Sequence, residues 1–387
     1  MNNPFAATLK ALQETGMERQ LYPMQHDGAY IIAEGRRMLN LSGNDYLGIA
    51  SRGDLSEEMQ RIVAQYGLWG STSSRLLTGN YEVYTELEEL LARRFGREAA
   101  LVFNSGYHMN LGILPALCQG DTIVLADKLV HASMIDGIRL SGCTFARFRH
   151  NDLNHLEQLL RKYQDAPRII VMVESLYSMD GDRADLQGLV ALKHRYPQVM
   201  LYVDEAHAVG VLGETGLGLA QETKTIGEID LLVGTMGKAL ASMGGYIVCD
   251  EVIRRMLINR CRSLIFSTAL PPSSIALARE VLERLPDYTA ERDRLRGYAT
   301  GLREALREAG CTTPSESHII PITIGQAQPT VEIAEQLRAL GYYVLPIRPP
   351  TVPQGSARLR LSLTSQTPTA ELAPLLIRLL QEQHIGL

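Results

Sequence analysis

The sequence is short of the signals that mark specialised protein classes. Its five cysteines, Cys118, Cys143, Cys249, Cys261 and Cys311, form no C-x-x-C pair and no zinc-like spacing, so a reducing cytoplasm is the expected setting. No stretch approaches the roughly 18 uninterrupted apolar residues that would suggest a membrane-spanning helix, and Met1 to Gly16 lacks the basic start and apolar run of a secretory signal. Neither export nor membrane insertion is expected. A basic excess is missing too: 38 lysines and arginines face 43 acidic residues, leaving no overall field to gather nucleic acid. The clusters Arg93, Arg94, Arg97 and Arg254, Arg255, Arg260, Arg262 fall on helix-like stretches and read as solvated faces. No internal repeat or low-complexity tract is evident.

What remains is an ordinary globular composition, 45% hydrophobic and 21% charged, which argues for a chain folded throughout. Its length allows two or three structural units and a cleft between them. Between Ala99 and Cys249, runs rich in β-branched residues alternate with segments of helical period: Ala99 to Phe103, Thr122 to Ala126, Ile169 to Glu174, Val199 to Asp204, Leu231 to Thr235 and Tyr246 to Cys249. Most are too apolar to leave one face in water, so the reading is an α/β unit with a mainly parallel central sheet covered by helices. Leu87, Leu90, Leu91 and Phe95 line one side of a preceding helix that should pack on that sheet. After Pro271 and Pro272 a helical stretch from about Ser274 to Gly310 leads to strands around His318 to Ile324, Tyr342 to Ile347 and Ala357 to Leu363. A last helix is expected with Thr367 as N-cap and Pro368 as first residue. The expected division is a large unit over 46–272 and a smaller C-terminal α+β unit over 273–387, to which an arm over 1–45 contributes.

Three segments carry chemistry. In Val203-Asp204-Glu205-Ala206-His207 an apolar strand ends in an acid followed by histidine, where open α/β sheets bind their ligands. A carboxylate there can pair with a protonated pyridine nitrogen, although a strand-end aspartate equally serves as a helix cap. Gly234-Thr235-Met236-Gly237-Lys238-Ala239 places a lysine in a turn of small residues after the next strand. A solvated lysine is almost wholly charged at neutral pH, so a nucleophilic one needs burial or a nearby cation; the plainer reading is a surface lysine. In Phe103-Asn104-Ser105-Gly106-Tyr107-His108 a strand runs through small residues into a helix, whose first amides form an anion site or simply a βα turn.

The spelling Asp204-Glu205-Ala206-His207 also matches the acidic box of a nucleotide-driven helicase. Such an engine needs G-x-x-x-x-G-K-[ST], and here Leu232 stands six positions before Lys238 and Ala239 replaces the metal-binding hydroxyl. That reading is set aside.

Acid, lysine and anion site follow in order on one α/β unit, and around them stand Asn44-Asp45-Tyr46-Leu47-Gly48, His131-Ala132-Ser133, Tyr177-Ser178-Met179-Asp180-Gly181 and Ser267-Thr268-Ala269-Leu270-Pro271-Pro272. With these motifs the chain resembles the α-oxoamine synthases over nearly its whole length. They are fold-type I transferases dependent on pyridoxal 5'-phosphate (PLP) that condense an amino acid with an acyl thioester. Ile347-Arg348-Pro349-Pro350-Thr351-Val352-Pro353 and Ala357-Arg358-Leu359-Arg360-Leu361 narrow the likeness to the biotin-pathway member, with L-alanine and a pimeloyl thioester as substrates. The acyl carrier is either coenzyme A or a carrier protein, for which Arg93, Arg97, Arg147 and Arg149 are all candidate contacts. Competing readings are a sister synthase using glycine and acetyl-CoA, an aminotransferase on the same scaffold, and a binding homologue without activity.

The resemblance implies a role for each matching residue. Lys238 forms an imine with the cofactor and later acts as base at the substrate Cα. Asp204 pairs with the pyridine nitrogen, His207 and Ser178 hold the phenolic oxygen, and His131 stacks on the ring. Gly106, Tyr107 and Thr235 bind the phosphate end, with Ser267 and Thr268 reaching it from the second subunit of a homodimer. Arg360 takes the amino-acid carboxylate, because a guanidinium offers the fork a carboxylate accepts. Its strand neighbour Arg358 is expected to face away. Arg19, Asn44, Thr351 and His131 match substrate-contacting positions.

Overall fold

A computed structural model describes residues 3–14, 18–19, 21–52, 70–118, 120–349, 351–368 and 370–382, with positions 57, 60, 61, 64 and 65. Pro350, inside the Ile347 to Pro353 motif, lies outside the described residues.

Seven strands form the central sheet, in the spatial order Ala99–Phe103, Gly245–Cys249, Leu231–Thr235, Val199–Asp204, Arg168–Glu174, Thr122–Asp127 and Thr144–Phe148. Gly245–Cys249 runs antiparallel to both neighbours, and every other pairing is parallel. The strands read as unbroken apolar runs because both faces are buried. Val171 and Val173 enter one hydrophobic core while Ile170 and Met172 enter another on the opposite face, as the two-residue period of a strand requires. Each such side chain, fully buried, contributes about 1.5–3 kcal/mol against exposure.

Thr144–Phe148 escapes the sequence pattern. It is an edge strand in which only Phe148 is fully buried, so nothing demands a continuous apolar run.

Beyond the central sheet, Ile319–Gly325, Ala357–Ser362 and Pro346–Ile347 make a three-stranded antiparallel sheet. Gln25–Asp27, Tyr30–Ala33 and Arg36–Asn40 form an antiparallel ribbon whose last strand pairs in parallel with Tyr342–Tyr343. The single strand expected over Tyr342 to Ile347 is therefore two strands in different sheets. Between them the Leu345 N–H donates to Ser42 Oγ at 2.9 Å instead of joining a ladder.

Two helical expectations also need correction. The stretch from Ser274 to Gly310 divides into Pro272–Glu283, a 3₁₀ turn Leu285–Tyr288 and Thr289–Glu308. Pro286 cannot donate within a helix and its ring clashes with the preceding turn; the guanidinium of Arg292 takes up the carbonyls of Leu285 and Pro286. Nor does Thr367 cap the final helix, which spans Leu372–Glu382. Its hydroxyl is engaged earlier, accepting the Thr364 N–H at 2.8 Å in a local turn.

Candidate active site

The carboxyl ends of three neighbouring parallel strands carry Glu174, Asp204 and Thr235, and Glu174 stands directly opposite Asp204 in the register. With the start of the helix Gly106–Leu117, with His131 and with Lys238, they line a cavity of about 200 Å³.

Asp204 is buried but well satisfied. Its Oδ2 accepts from Asn110 Nδ2 at 2.9 Å and its Oδ1 from the Ala206 N–H at 3.0 Å. Asn110 is fixed in turn by Tyr202 Oη, which donates to its Oδ1 at 2.6 Å, and by Ser133 Oγ at 3.0 Å. Glu174 accepts from the Ser178 N–H at 3.2 Å, and the His131 backbone also faces it as a donor. Burial, reinforced by the charge of Asp204, pushes the Glu174 carboxyl up to about 8. Burial thus keeps much of the Glu174 carboxyl protonated near neutral pH.

Lys238 Nζ lies 2.8 Å from His207 Nε2. Burial lowers the amine to about 8 against the opposing charges of Asp204 and Glu174, so a large share of it is neutral at mildly alkaline pH. His207 is buried as well, and desolvation with the nearby Lys238 charge holds it well below its ordinary value. Its Nδ1 lies 2.6 Å from Tyr46 Oη. His131 precedes the helix Ala132–Ser141 as its N-cap: Nδ1 accepts the Ser133 N–H at 3.2 Å and lies 2.7 Å from Ser133 Oγ, which fixes the ring plane.

At the other end of the cavity Ser105 caps the helix by accepting the His108 N–H at 3.1 Å. The N–H groups of Gly106 and Tyr107 have no acceptor among the described residues, which suits an anion at this helix start. Thr235 Oγ1 donates to the Gly244 carbonyl at 3.0 Å and accepts the Gly237 N–H at 3.2 Å. The backbone of Gly245 passes so near that a Cβ there would lie 2.8 Å from the Gly106 nitrogen. Tyr107 is partly exposed and donates to Asp136 Oδ2 at 2.5 Å.

Other expected site residues lie around this centre. Ser178 stands behind it, its N–H on Glu174 and its carbonyl accepting Arg360 Nε at 2.5 Å. Arg19 Nη2 and Thr351 Oγ1 meet at 3.4 Å although 332 positions separate them. Asn44 Oδ1 accepts from Tyr46 Oη at 3.0 Å. Thr268 pairs with Ser74, and its carbonyl accepts Asn104 Nδ2; neither it nor Ser267 lines the cavity within this chain.

The expectation for Arg358 is overturned. Residues two apart on a strand share a face, and Arg358 and Arg360 are both half-buried between the fully buried Ala357, Leu359 and Leu361. Both reach the same turn, Arg358 by an ion pair to Asp180 and Arg360 through the Ser178 carbonyl.

Reading the sequence did not single out Tyr46, Asn110 or Glu174. Tyr46 sat inside a quoted motif without a role, Asn110 is a lone polar residue on the buried face of an apolar helix, and Glu174 ends the strand beside that of Asp204. Among the described residues no cluster of three metal-ligating side chains occurs, and no helix is long and apolar enough to cross a membrane.

The profile of the family described as aminotransferase class I and II matches residues 36–379. An 8-amino-7-oxononanoate synthase of Haemophilus ducreyi is 51% identical over 377 residues, covering 95% of this chain and 97% of that protein. Among solved structures, 8-amino-7-oxononanoate synthase from Francisella tularensis superposes with a TM-score of 0.76 at 27% identity, over 90% of this chain and 99% of that one. Serine palmitoyltransferase from S. paucimobilis, solved with PLP and myriocin bound, superposes with a TM-score of 0.89 at 28% identity, over 98% of this chain and 96% of that one.

Proposed function

The chain belongs to the aminotransferase class I and II family, and from that membership we propose that it is a PLP-dependent acyltransferase making 8-amino-7-oxononanoate for biotin biosynthesis. L-Alanine and a pimeloyl thioester are joined at the alanine Cα, the alanine carboxylate leaves as CO₂ and the thiol leaves with a proton. The observation that carries this reading is the convergence of Lys238, Asp204, His131 and His207 at the ends of adjacent strands, in a chain half identical to a synthase of that name.

The residues present fit PLP. A desolvated amine, a buried carboxylate and helix amides without acceptors among the described residues would suit the aldehyde, the ring nitrogen and the phosphate of that cofactor, in that order. When bound, PLP supplies an electron sink for bonds at the amino-acid Cα. Lys238 is the amine that would hold it covalently and would afterwards move the proton at Cα. Asp204, held in place by Asn110 and the Ala206 N–H, would keep a proton on the ring nitrogen. His207 and Ser178 would hold the phenolic oxygen, and His131, fixed by Ser133, would lie against the ring. Gly106, Tyr107 and Thr235 receive the phosphate, with Ser267 and Thr268 of a second copy completing that end in a homodimer. Arg360 binds the alanine carboxylate, and Asn44, Arg19 and Thr351 lie along the substrate path.

In this reading the unit over 46–272 carries the cofactor, while 273–387 and the arm over 1–45 bring the substrate groups. A cytoplasmic site accords with five cysteines that are all unpaired. The acyl carrier is coenzyme A or a carrier protein. Mass spectrometry of the product formed from alanine and pimeloyl thioester, beside glycine and acetyl thioester, tests the proposal. Formation of 8-amino-7-oxononanoate supports it, and exclusive use of the glycine pair overturns it.

A further inference from the structure

The loop that supports Arg360 is fastened by a side chain outside the reaction cavity. Leu176 and Arg183 bridge to close the loop, and within it the Tyr177 N–H donates to the Asp182 carbonyl at 3.0 Å and the Gly181 N–H to the Tyr177 carbonyl at 2.9 Å. His150, 32 positions before Asp182, meets both ends of this loop. Its ring stands edge-on to Tyr177, with centroids 4.4 Å apart at an angle of 89°, and its Nε2 lies 2.7 Å from Asp182 Oδ2. The other nitrogen, Nδ1, lies 2.9 Å from Oδ1 of Asp127, the last residue of the buried strand Thr122–Asp127.

This anchorage is built around charge. Besides His150, Asp127 accepts the Leu129 N–H at 2.8 Å and the Asn151 N–H at 2.9 Å, and the Tyr177 hydroxyl also faces it. Asp182 Oδ2 accepts from Asn151 Nδ2 at 2.7 Å as well, and the same Nδ2 reaches the Arg183 carbonyl at 3.0 Å. A neutral imidazole has one N–H and would turn a bare nitrogen toward one of the two carboxylates, whereas the imidazolium donates to both. Burial opposes the charged form, but the hydrogen bonds to Asp127 and Asp182 outweigh it.

The setting of the loop bears on the substrate site. Ser178, next to Tyr177, offers its carbonyl to Arg360 Nε at 2.5 Å and its N–H to Glu174 Oε2 at 3.2 Å, while Asp180 pairs with Arg358. The Gly181 carbonyl accepts the Glu316 N–H at 3.0 Å. These contacts hold the middle of the loop, and His150 spans its ends. A carbonyl accepts near the plane of its own peptide group, so the tilt of the loop sets where the Arg360 fork points.

We propose that His150 is a positioning residue for the amino-acid carboxylate: by tying Tyr177 and Asp182 to Asp127, it sets the loop that aims Arg360. The inference rests on the reading of Arg360 as the carboxylate-binding group. His150 does not line the cavity, so its effect reaches the substrate through Arg360.

The test is a double-mutant cycle on the full-length holoenzyme, with KM for alanine and KM for the pimeloyl thioester measured separately, well below the melting temperature. His150→Gln, which carries no charge, is expected to raise the alanine KM about three- to tenfold and to leave the thioester KM within about twofold of wild type. Arg360→Lys raises the alanine KM by itself. In the double variant the rise is expected to be clearly smaller than the product of the two single effects, because aiming the fork has no value once the fork is gone. Asp182→Asn, which keeps the side-chain shape and removes the charge that His150 meets, passes through the same cycle and decides the matter if His150→Gln does not fold. An unaltered alanine KM in His150→Gln, equal rises for both substrates, or single effects that simply multiply in the double variant would each overturn the proposal. If Arg360→Lys leaves the alanine KM unaltered, the underlying reading of Arg360 fails; if it raises that KM while the effects multiply, the role of His150 alone is removed.

Discussion

Arg360 Nε donates to the carbonyl of Ser178 at 2.5 Å, tying a C-terminal strand to a turn 182 positions earlier in the chain. Arg358 grips the same turn through Asp180, so one loop is held by two cations, one through a carboxylate and the other through a carbonyl. The guanidinium of Arg360 therefore keeps charge to offer a substrate.

Arg360→Lys is expected to raise the KM for alanine about ten- to a hundredfold with a smaller change in kcat, since an ammonium lacks the fork that grips a carboxylate. Steady-state kinetics with alanine varied at saturating thioester measure this. An unchanged KM would remove Arg360 from the carboxylate site.

Asp204→Asn should leave PLP bound to Lys238 but lower turnover by about a hundredfold or more, because an amide cannot hold a proton on the ring nitrogen. Asn110 would also lose a charged acceptor and reorient. Near-normal turnover in this variant contradicts the assigned role.

His150 gives a pH-dependent test of stability. It bridges Asp127 at 2.9 Å and Asp182 at 2.7 Å. Burial alone would lower its pKa, but hydrogen bonds to the two carboxylates outweigh this and push it up to about 10. A group raised on folding stabilises fully below its unfolded value, near 6.5 for histidine, and loses that contribution as pH climbs toward the folded value. His150→Gln should thus lower Tm most at pH 6, with the gap from wild type closing toward pH 10. A gap that stays constant across that window would show that packing, not charge, accounts for the residue.

Gly245→Ala would place a Cβ 2.8 Å from the Gly106 nitrogen and 2.9 Å from its Cα, both backbone atoms that cannot swing aside. Overpacking of this kind costs about 1–3 kcal/mol, and here it displaces the helix start assigned to the phosphate. Equilibrium binding should show affinity lost for PLP while affinity for pyridoxal, which has no phosphate, is nearly kept. An equal loss for both ligands would separate that helix start from phosphate binding.

Much of this site could be read from local pattern. Asp204, Lys238 and Gly106 stand where apolar strands end in small or polar residues, and chain-local signals suffice to find such turns. Tyr46, Asn110 and Glu174 left no comparable signal. Tyr46 meets His207 across 161 positions and Asn110 meets Asp204 across 94, and their roles arise only when distant segments pack together. The same reasoning explains the fold errors: Thr144–Phe148 is defined by its neighbour rather than by its own burial, and the Tyr342 to Ile347 run changes sheets at Val344 and Leu345. The misplacement of Arg358 had a different origin, since the two-residue period already put it beside Arg360.

The parallel pairing of Arg36–Asn40 with Tyr342–Tyr343 bears on how the polypeptide is made. The Leu39 and Leu41 N–H groups bind the carbonyls of Gly341 and Tyr343, and the Leu41 carbonyl accepts from Ser362. On a ribosome, this early hairpin must wait with an open rim until nearly the whole chain has emerged. Arg36 and Arg37, exposed at the start of that strand, are meanwhile paired within the hairpin itself, with Glu34 and Asp27, so the hairpin's own charges do not depend on the late strand.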